Sequence, residues 1–211
     1  MDSFGGVGAP RVSTKQWHRL NIVASVFLVM FLNRMTTGQV FFNGPCPNIQ
    51  PMKDFQPKRF LGRWYEIERF FVSYEDLAGT CWVENYLFEK GRGHFTRLDW
   101  KDRLSGLILN IENGITFDKK EPGRLRYVVQ RPSIPILQGE YLILATDYHS
   151  YALAWQCMDF PLRFGHTEIL WFLSKDQFPS YETEQTAKRT AAKLGLDISR
   201  LKKQDRSRCP K

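Results

Sequence analysis

The chain has 211 residues and a formal net charge of +8, with 30 lysines and arginines against 22 acidic residues. A hydrophobic fraction of 43% is too high for a disordered chain, and no apolar run reaches the roughly 18–20 residues that span a bilayer as a helix. The length corresponds to one or two domains. A basic excess is typical of proteins that bind nucleic acids, anionic membranes or acidic partners, so its meaning depends on where the charges lie.

The N-terminal segment has the order of a secretory signal peptide. Three lysines or arginines within 11–19 precede an apolar stretch over 22–32, and small residues follow at 36–38. A stretch of this length fits a signal-peptide core and is too short for an ordinary membrane span, although a signal anchor or a buried helix is the alternative. We predict that residues 1–38 are cleaved, that Gln39 begins the mature chain and that the protein is secreted and extracellular.

Eight short segments with β-type patterning follow, separated by turn residues. In chain order they cover 64–70, 81–88, 94–100, 106–111, 124–130, 141–146, 151–157 and 167–174. Asn113-Gly114 is a typical turn sequence and is expected to follow the fourth strand. The spacing is typical of an all-β barrel or sandwich, and a closed eight-stranded antiparallel barrel can hold one small ligand inside.

One helix is predicted after the last strand. Ser180 can cap its start, Ala187, Ala191 and Leu194 recur at helical spacing, and Gly195 ends it. The narrow stripe of small residues predicts that this helix packs against the outside of the barrel.

Four cysteines lie beyond the predicted cleavage site, at positions 46, 81, 157 and 209. None forms a C-x-x-C motif and no histidine follows at zinc-finger spacing, so we expect no metal site. An even number in a secreted chain predicts two disulfides with three possible pairings, and four buried free thiols are the alternative. Because the chain has no G-x-S-x-G elbow and no phosphate loop, we predict no catalytic residues, no cofactor and no enzymatic activity.

Several motifs resemble the lipocalin family. Gly62-Arg-Trp-Tyr-Glu-Ile-Glu68 contains the glycine-x-tryptophan signature, and Thr146-Asp-Tyr148 resembles the second lipocalin region. Pro45-Cys-Pro-Asn48 and Arg208-Cys-Pro-Lys211 are similar to the group that contains apolipoprotein D and related insect lipocalins. The resemblance covers about residues 43–211.

This resemblance implies an up-and-down eight-stranded barrel with one C-terminal helix outside it. It also implies a secreted carrier of fatty acids, steroids, retinoids or bilin pigments, with disulfides Cys46–Cys157 and Cys81–Cys209. Trp64 would close the barrel floor beneath Lys175, which stands where the family usually has arginine. Lysine can make a cation–π contact but lacks the planar fork of a guanidinium.

Ligand-binding residues are inferred from strand parity and from the same resemblance. Trp171 aligns with an inward tryptophan of the family and Asp99 with a position that usually offers an amide, while ordinary core packing is the alternative for Trp171. Glu66, and Glu68 with the same parity, would face the lumen, either as a polar anchor or in an ion pair with an interior arginine. The predicted apolar wall consists of Leu107, Leu109, Tyr127, Val129 and Leu142.

Two other segments have predicted partners. The apolar loop Pro132-Ser-Ile-Pro-Ile-Leu137 suggests a lipoprotein or membrane-surface contact or a lid over the barrel mouth. Residues 1–38 contain four basic and one acidic residue, and residues 188–211 contain nine basic and two acidic residues, so residues 39–187 have a net charge of −2. The charge therefore does not indicate nucleic-acid binding. Polyanion or receptor binding by a basic C-terminal strap, residues 188–211, is the alternative function to ligand transport.

Overall fold

A computed structural model describes residues 40–132, 134–161, 164–206 and 208–210, without the side chains of 73, 74 and 134–137. The predicted signal peptide over 1–38 lies outside these residues. Within them, ten strands form one antiparallel sheet. The strands are β1 (Val40–Asn43), β2 (Gly62–Arg69), β3 (Gly79–Glu89), β4 (Gly93–Asp102), β5 (Ile108–Phe117), β6 (Arg124–Arg131), β7 (Ile134–Thr146), β8 (Tyr151–Asp159), β9 (Gly165–Ser174) and β10 (Lys202–Lys203).

Strands β2–β9 form the barrel, since each pairs with the next and β9 pairs with β2. On the edge opposite β8, β9 pairs with two strands: residues 165–168 pair with β1 and residues 171–174 with β2. The short β10 pairs with the end of β2. Closure gives β2 and β9 the partners that they would lack as sheet edges. The predicted eight-stranded antiparallel barrel is confirmed.

Asn113 and Gly114 lie inside β5, so the turn predicted there is wrong. The strand pairing shifts register between Glu112 and Asn113, and a Cβ atom at Gly114 would collide with the side chain of Gln130 on β6. The Asn-Gly pair therefore marks a bulge with close packing, as glycine often does inside strands. The chain turns only after β5, where Asp118 Oδ1 accepts two backbone hydrogen bonds.

The connection between β6 and β7 is shorter than the predicted loop over 132–137. β6 ends at Arg131 and β7 begins at Ile134, so residues 134–137 belong to a strand. Their side chains, on which the lid and membrane interpretations depend, lie outside the described residues.

The helices are α1 (Pro57–Phe60), α2 (Ser73–Ala78) and α3 (Tyr181–Lys193), and a 3-10 turn covers Ile198–Arg200. None of the helices in the described part of the chain is long and apolar enough to cross a membrane.

The predicted outside helix is confirmed as α3. The Ser180 side chain accepts a hydrogen bond from the Thr183 amide and caps the helix. Ala187 and Ala191 are fully buried, in an apolar cluster that they form with residues of β7, β8 and β9. Leu194, predicted on the same stripe, is 37% exposed because the helix has ended before it.

Two disulfides fasten both ends of the described chain to the barrel. Cys46 is bonded to Cys157 on β8, and Cys81 on β3 is bonded to Cys209 in the C-terminal tail, with Cα–Cα distances of 6.0 and 5.4 Å. The pairing implied by the family resemblance is confirmed.

Candidate functional site: the barrel cavity

The barrel contains a cavity of about 470 Å³, within the roughly 300–1,000 Å³ typical of small-molecule sites. Its apolar lining comprises Leu98, Ile111, Val129, Ala154 and Trp171. Its polar lining comprises Glu66, Glu75, Glu84, Thr96, Asn113, Tyr127, Tyr141 and Gln156. Such a lining suits a molecule that combines an apolar body with a polar group.

The floor of the barrel is a stacked aromatic pair with a lysine above it. Trp64 is fully buried, its ring stacks on Phe60 at 4.6 Å and its Nε1 donates to the Phe60 carbonyl. Lys175 Nζ lies 4.0 Å from the centre of the Trp64 ring and donates to the Leu61 carbonyl at 3.0 Å. Burial lowers the pKa of Lys175 to about 8. The lysine thus combines a cation–π contact with one hydrogen bond.

A cluster of acidic side chains surrounds one buried arginine beside the cavity. Arg69 Nε lies 3.1 Å from carboxylate oxygens of both Glu66 and Glu75, and its Nη1 lies 2.7 Å from Asp76 Oδ2. Burial raises the pKa of Glu66, and burial together with the charge of Glu66 raises the pKa of Glu75 well above its usual value. Glu66 was predicted to be either a polar anchor for a ligand or part of an ion pair with an interior arginine, and the structure contains the ion pair.

Glu84 on β3 is the centre of a second polar group. Tyr86 donates its hydroxyl hydrogen to Glu84 Oε2 at 3.1 Å, and the Tyr141 hydroxyl lies 3.0 Å from that of Tyr86. Burial, with a smaller contribution from the charge of Glu66, raises the pKa of Glu84 to about 7, against the hydrogen bonds from Tyr86 and Thr96. The carboxyl group therefore changes its charge near neutral pH.

Four of the predicted ligand-binding residues line the cavity: Trp171, Glu66, Tyr127 and Val129. They come from β9, β2 and β6, so the barrel closure brings them together from distant parts of the chain.

Asp99, in contrast, lies on the outer face of β4. Thr96 and Leu98 of the same strand line the cavity, and alternation places Asp99 on the other side. There it accepts a hydrogen bond from Asn85 at 2.8 Å and forms an ion pair with Arg97 at 3.1 Å. The prediction that Asp99 faces the cavity is therefore wrong, and the neighbouring residue Leu98 faces it instead.

Three predicted wall residues also lie outside the cavity. Leu107 precedes β5 and is 63% exposed. Leu109 shares the strand parity of Ile111 and Asn113 but lies beyond the part of β5 that lines the cavity, and it is 39% exposed. Leu142 is buried on the outer side of the barrel, in the apolar cluster that contacts α3. The predicted parity was right for Leu107 and Leu109 and wrong for Leu142, since its neighbour Tyr141 is the residue that lines the cavity.

Glu68 is a further correction of parity. The pairing of β2 with β9 shifts between Glu66 and Glu68, and Glu68 Oε1 binds Lys188 Nζ of α3 at 2.8 Å. The two glutamates therefore lie on opposite sides of the barrel wall.

Sequence reasoning missed six polar lining residues: Glu75, Glu84, Thr96, Asn113, Tyr141 and Gln156. Glu75 belongs to α2, a short helix inserted between β2 and β3 that the sequence pattern did not reveal. Asn113 was assigned to a turn. Glu84 could have been found, because the alternation through Glu84 and Tyr86 within the predicted strand 81–88 places both on one face.

Basic side chains of the C-terminal strap contact the barrel. Arg206 is 6% exposed, and its Nη1 donates to the carbonyls of Glu66 and Trp82. Lys203 forms an ion pair with Glu184 of α3. These contacts attach the strap to the barrel wall, and polyanion binding by the strap stays a prediction.

Known proteins resemble this chain in sequence and in architecture. No protein-family model matches the chain. Apolipoprotein D of Cavia porcellus is 34% identical over 176 residues, which cover 82% of this chain and 88% of that protein. The chain belongs to the lipocalin family. Insecticyanin-B of Manduca sexta is a more distant relative, 26% identical over 76% of the chain and 77% of its own length.

The solved structure of insecticyanin from the tobacco hornworm Manduca sexta has the same lipocalin fold, with a TM-score of 0.71. It covers 81% of this chain and 91% of its own, at 22% identity. The fold resemblance recognised from Gly62-Arg-Trp64 is therefore confirmed.

Proposed function

We propose that this lipocalin is a secreted carrier of a small hydrophobic ligand, a fatty acid, steroid, retinoid or bilin among the candidates, held in the barrel cavity. The observation that carries the proposal is the cavity of about 470 Å³, in which Trp171, Val129 and Leu98 offer apolar contact. Burying apolar surface there would contribute roughly 25 cal/mol per Å² removed from water. Aromatic lining adds contact area with few torsions to restrict.

Binding to the cavity is tested by quenching of tryptophan fluorescence with fatty acids, steroids, retinoids and biliverdin. We expect at least one class to give saturable quenching, which decreases in Trp171→Phe because that reporter lines the cavity. Ala154→Leu, which extends a side chain into the cavity, should weaken binding at least tenfold. Ala192→Leu makes the same change at an exposed position of α3 and should leave affinity unchanged. The proposal is overturned if no small hydrophobic compound, in this panel or in the one described below, binds to the protein.

The proposed secretion rests on the N-terminal sequence pattern and on the two disulfides, which are typical of oxidising compartments. Expression of the full chain in secretory cells should deliver protein to the medium, and N-terminal sequencing should begin at Gln39. Full-length protein retained in cell membranes would contradict cleavage.

Residues 132–137 have two possible roles in this carrier, a lid or a contact with membranes and lipoproteins. Replacing Ile134, Ile136 and Leu137 together by serine tests them. Loss of liposome or lipoprotein binding supports the contact, and unchanged binding eliminates it.

A further inference from the structure

The polar end of the cavity is rich in hydrogen-bond acceptors. Three carboxylates, Glu66, Glu75 and Glu84, line it. They belong to β2, α2 and β3. The charge of Glu66 raises the pKa of both Glu75 and Glu84, and the charge of Glu84 also raises the pKa of Glu75. They therefore form one electrostatic group rather than three separate residues.

This group contains more carboxyl groups than the neighbouring basic side chains can neutralise. The guanidinium of Arg69 is shared with Glu66, Glu75 and Asp76, and Arg206 adds a second positive charge that acts on Glu66. Arg69 is fully buried and does not line the cavity, so it lies behind the carboxylates as seen from the lumen. Among the described residues, no basic side chain forms an ion pair with Glu84. The lumen therefore presents carboxylate oxygens and no exposed cation at this end.

The donors near Glu84 are already used. Tyr86 donates to Glu84, so in the contact between the two hydroxyls Tyr141 donates to Tyr86. On the other side, Asn113 Nδ2 donates to Thr96 Oγ1 at 3.2 Å, and Thr96 is hydrogen-bonded to Glu84. Each of these hydrogen bonds runs toward the carboxylate.

Asn113 independently indicates that a hydrogen-bond donor is missing from the cavity. It is 8% exposed and lines the cavity, and its Oδ1 atom is buried without a hydrogen-bond partner. A buried acceptor left unpaired destabilises the folded protein, so a ligand that donates a hydrogen bond to it gains affinity. An anionic or acceptor-only head group would leave this oxygen unpaired.

We propose that the ligand is a hydrophobic amine, whose protonated nitrogen binds among Glu84, Glu75 and Asn113 while its apolar body contacts Trp171 and Val129. This inference rests on the proposed carrier function and names the chemical class of its ligand. An ammonium group supplies three donors and one positive charge, which match the unpaired oxygen and the excess of carboxylates. A metal ion is a poorer match, because the described residues contain no set of three side chains arranged to hold one.

Binding of the amine should depend on pH through Glu84, whose pKa is raised to about 7 by burial. Below that pH the carboxyl group is protonated and attracts a cation less, so affinity should rise as the pH increases through neutrality. The charged and titratable groups around it are Glu66 and Arg69 of β2, Glu75 and Asp76 of α2, Tyr86 of β3, Tyr127 of β6, Tyr141 of β7 and Arg206 of the tail.

The test compares dodecylamine, dodecanol and dodecanoate on the unaltered protein by calorimetry, below their micelle concentrations. The three probes share one alkyl chain and differ in the head group. Above the pKa of Glu84 we expect dodecylamine to bind at least about tenfold more tightly than dodecanol, since a charge-assisted hydrogen bond exceeds a neutral one. Dodecanoate should bind most weakly.

Glu84→Gln removes the charge and keeps the shape, so it should lower the affinity for dodecylamine about tenfold and leave dodecanol unchanged. Glu89→Gln is the matched control, the same substitution at an exposed position of the same strand. Equal or tighter binding of dodecanoate overturns the amine inference and leaves the carrier proposal standing. The amine inference also fails alone if none of the three probes binds while a compound of the earlier panel does. If nothing binds at all, both proposals fail.

Discussion

Replacing Glu84 by glutamine should stabilise the protein at alkaline pH. The pKa of Glu84 rises from 4.5 to about 7 on folding, chiefly because of burial. Between pH 4.5 and about 7, Glu84 therefore keeps its proton in the folded state but has lost it in the unfolded state. The stability of the protein decreases over this range as the pH rises, and the contribution of protonated Glu84 is lost above about pH 7. At about 1.4 kcal/mol per pH unit, ionised Glu84 lowers the free energy of unfolding by about 3 kcal/mol above neutrality.

The glutamine variant avoids this cost and keeps the shape of the side chain, with one amide oxygen that still accepts hydrogen bonds. Urea denaturation at about pH 8 should give a free energy of unfolding higher by up to about 3 kcal/mol than that of the unaltered protein, and the two should converge near pH 4.5. Glu89→Gln, at an exposed position, should change stability little at either pH. If Glu84→Gln is no more stable than Glu89→Gln at alkaline pH, the carboxylate is not desolvated and the reasoning is refuted.

Three further changes probe the floor, the strap and the helix contact. Lys175→Met removes the cation above the floor tryptophan and should lower the free energy of unfolding by about 1 kcal/mol in urea titration; no change would show that the cation–π contact adds nothing. Replacing Cys81 and Cys209 together by alanine opens a loop with a sequence separation of 128 residues and should cost up to about 4–5 kcal/mol. An unaltered denaturation midpoint would contradict that loop-entropy estimate. Ala191→Leu places a larger side chain in a fully buried contact with the barrel and should lower the free energy of unfolding by about 1–3 kcal/mol. Ala192→Leu, at an exposed position, should not lower it, and equal stability of the two variants would contradict the packing.

Much of the fold could be predicted from local patterning. Alternation in segments such as 124–130 predicts a strand, and the Ser180 cap followed by small residues predicts the helix that the structure contains. These features depend on neighbours in the sequence, because the period of two or 3.6 residues is set by the backbone itself. The disulfide pairing followed only from the family resemblance, since the residues alone allowed three connectivities.

The candidate site was predicted less completely because inward orientation depends on register. A single bulge separates Glu66, which faces the cavity, from Glu68, which binds α3. A shift of one residue places Asp99 outside and Leu98 inside. Bulges arise from how two strands pair, so counting along one strand does not reveal them.

The sequence by itself determined the succession of strands and the one C-terminal helix, because strand alternation and helix capping are local properties, and the barrel followed from the family resemblance carried by motifs such as Gly62-Arg-Trp64. Tertiary structure decided which polar groups share the lumen. Glu66, Glu75, Glu84 and Asn113 come from four different elements, and only barrel closure and the insertion of α2 bring them to one cavity. The raised pKa values of Glu66, Glu75 and Glu84 follow from that proximity and burial, since an isolated carboxylate in an unfolded chain is solvated by water.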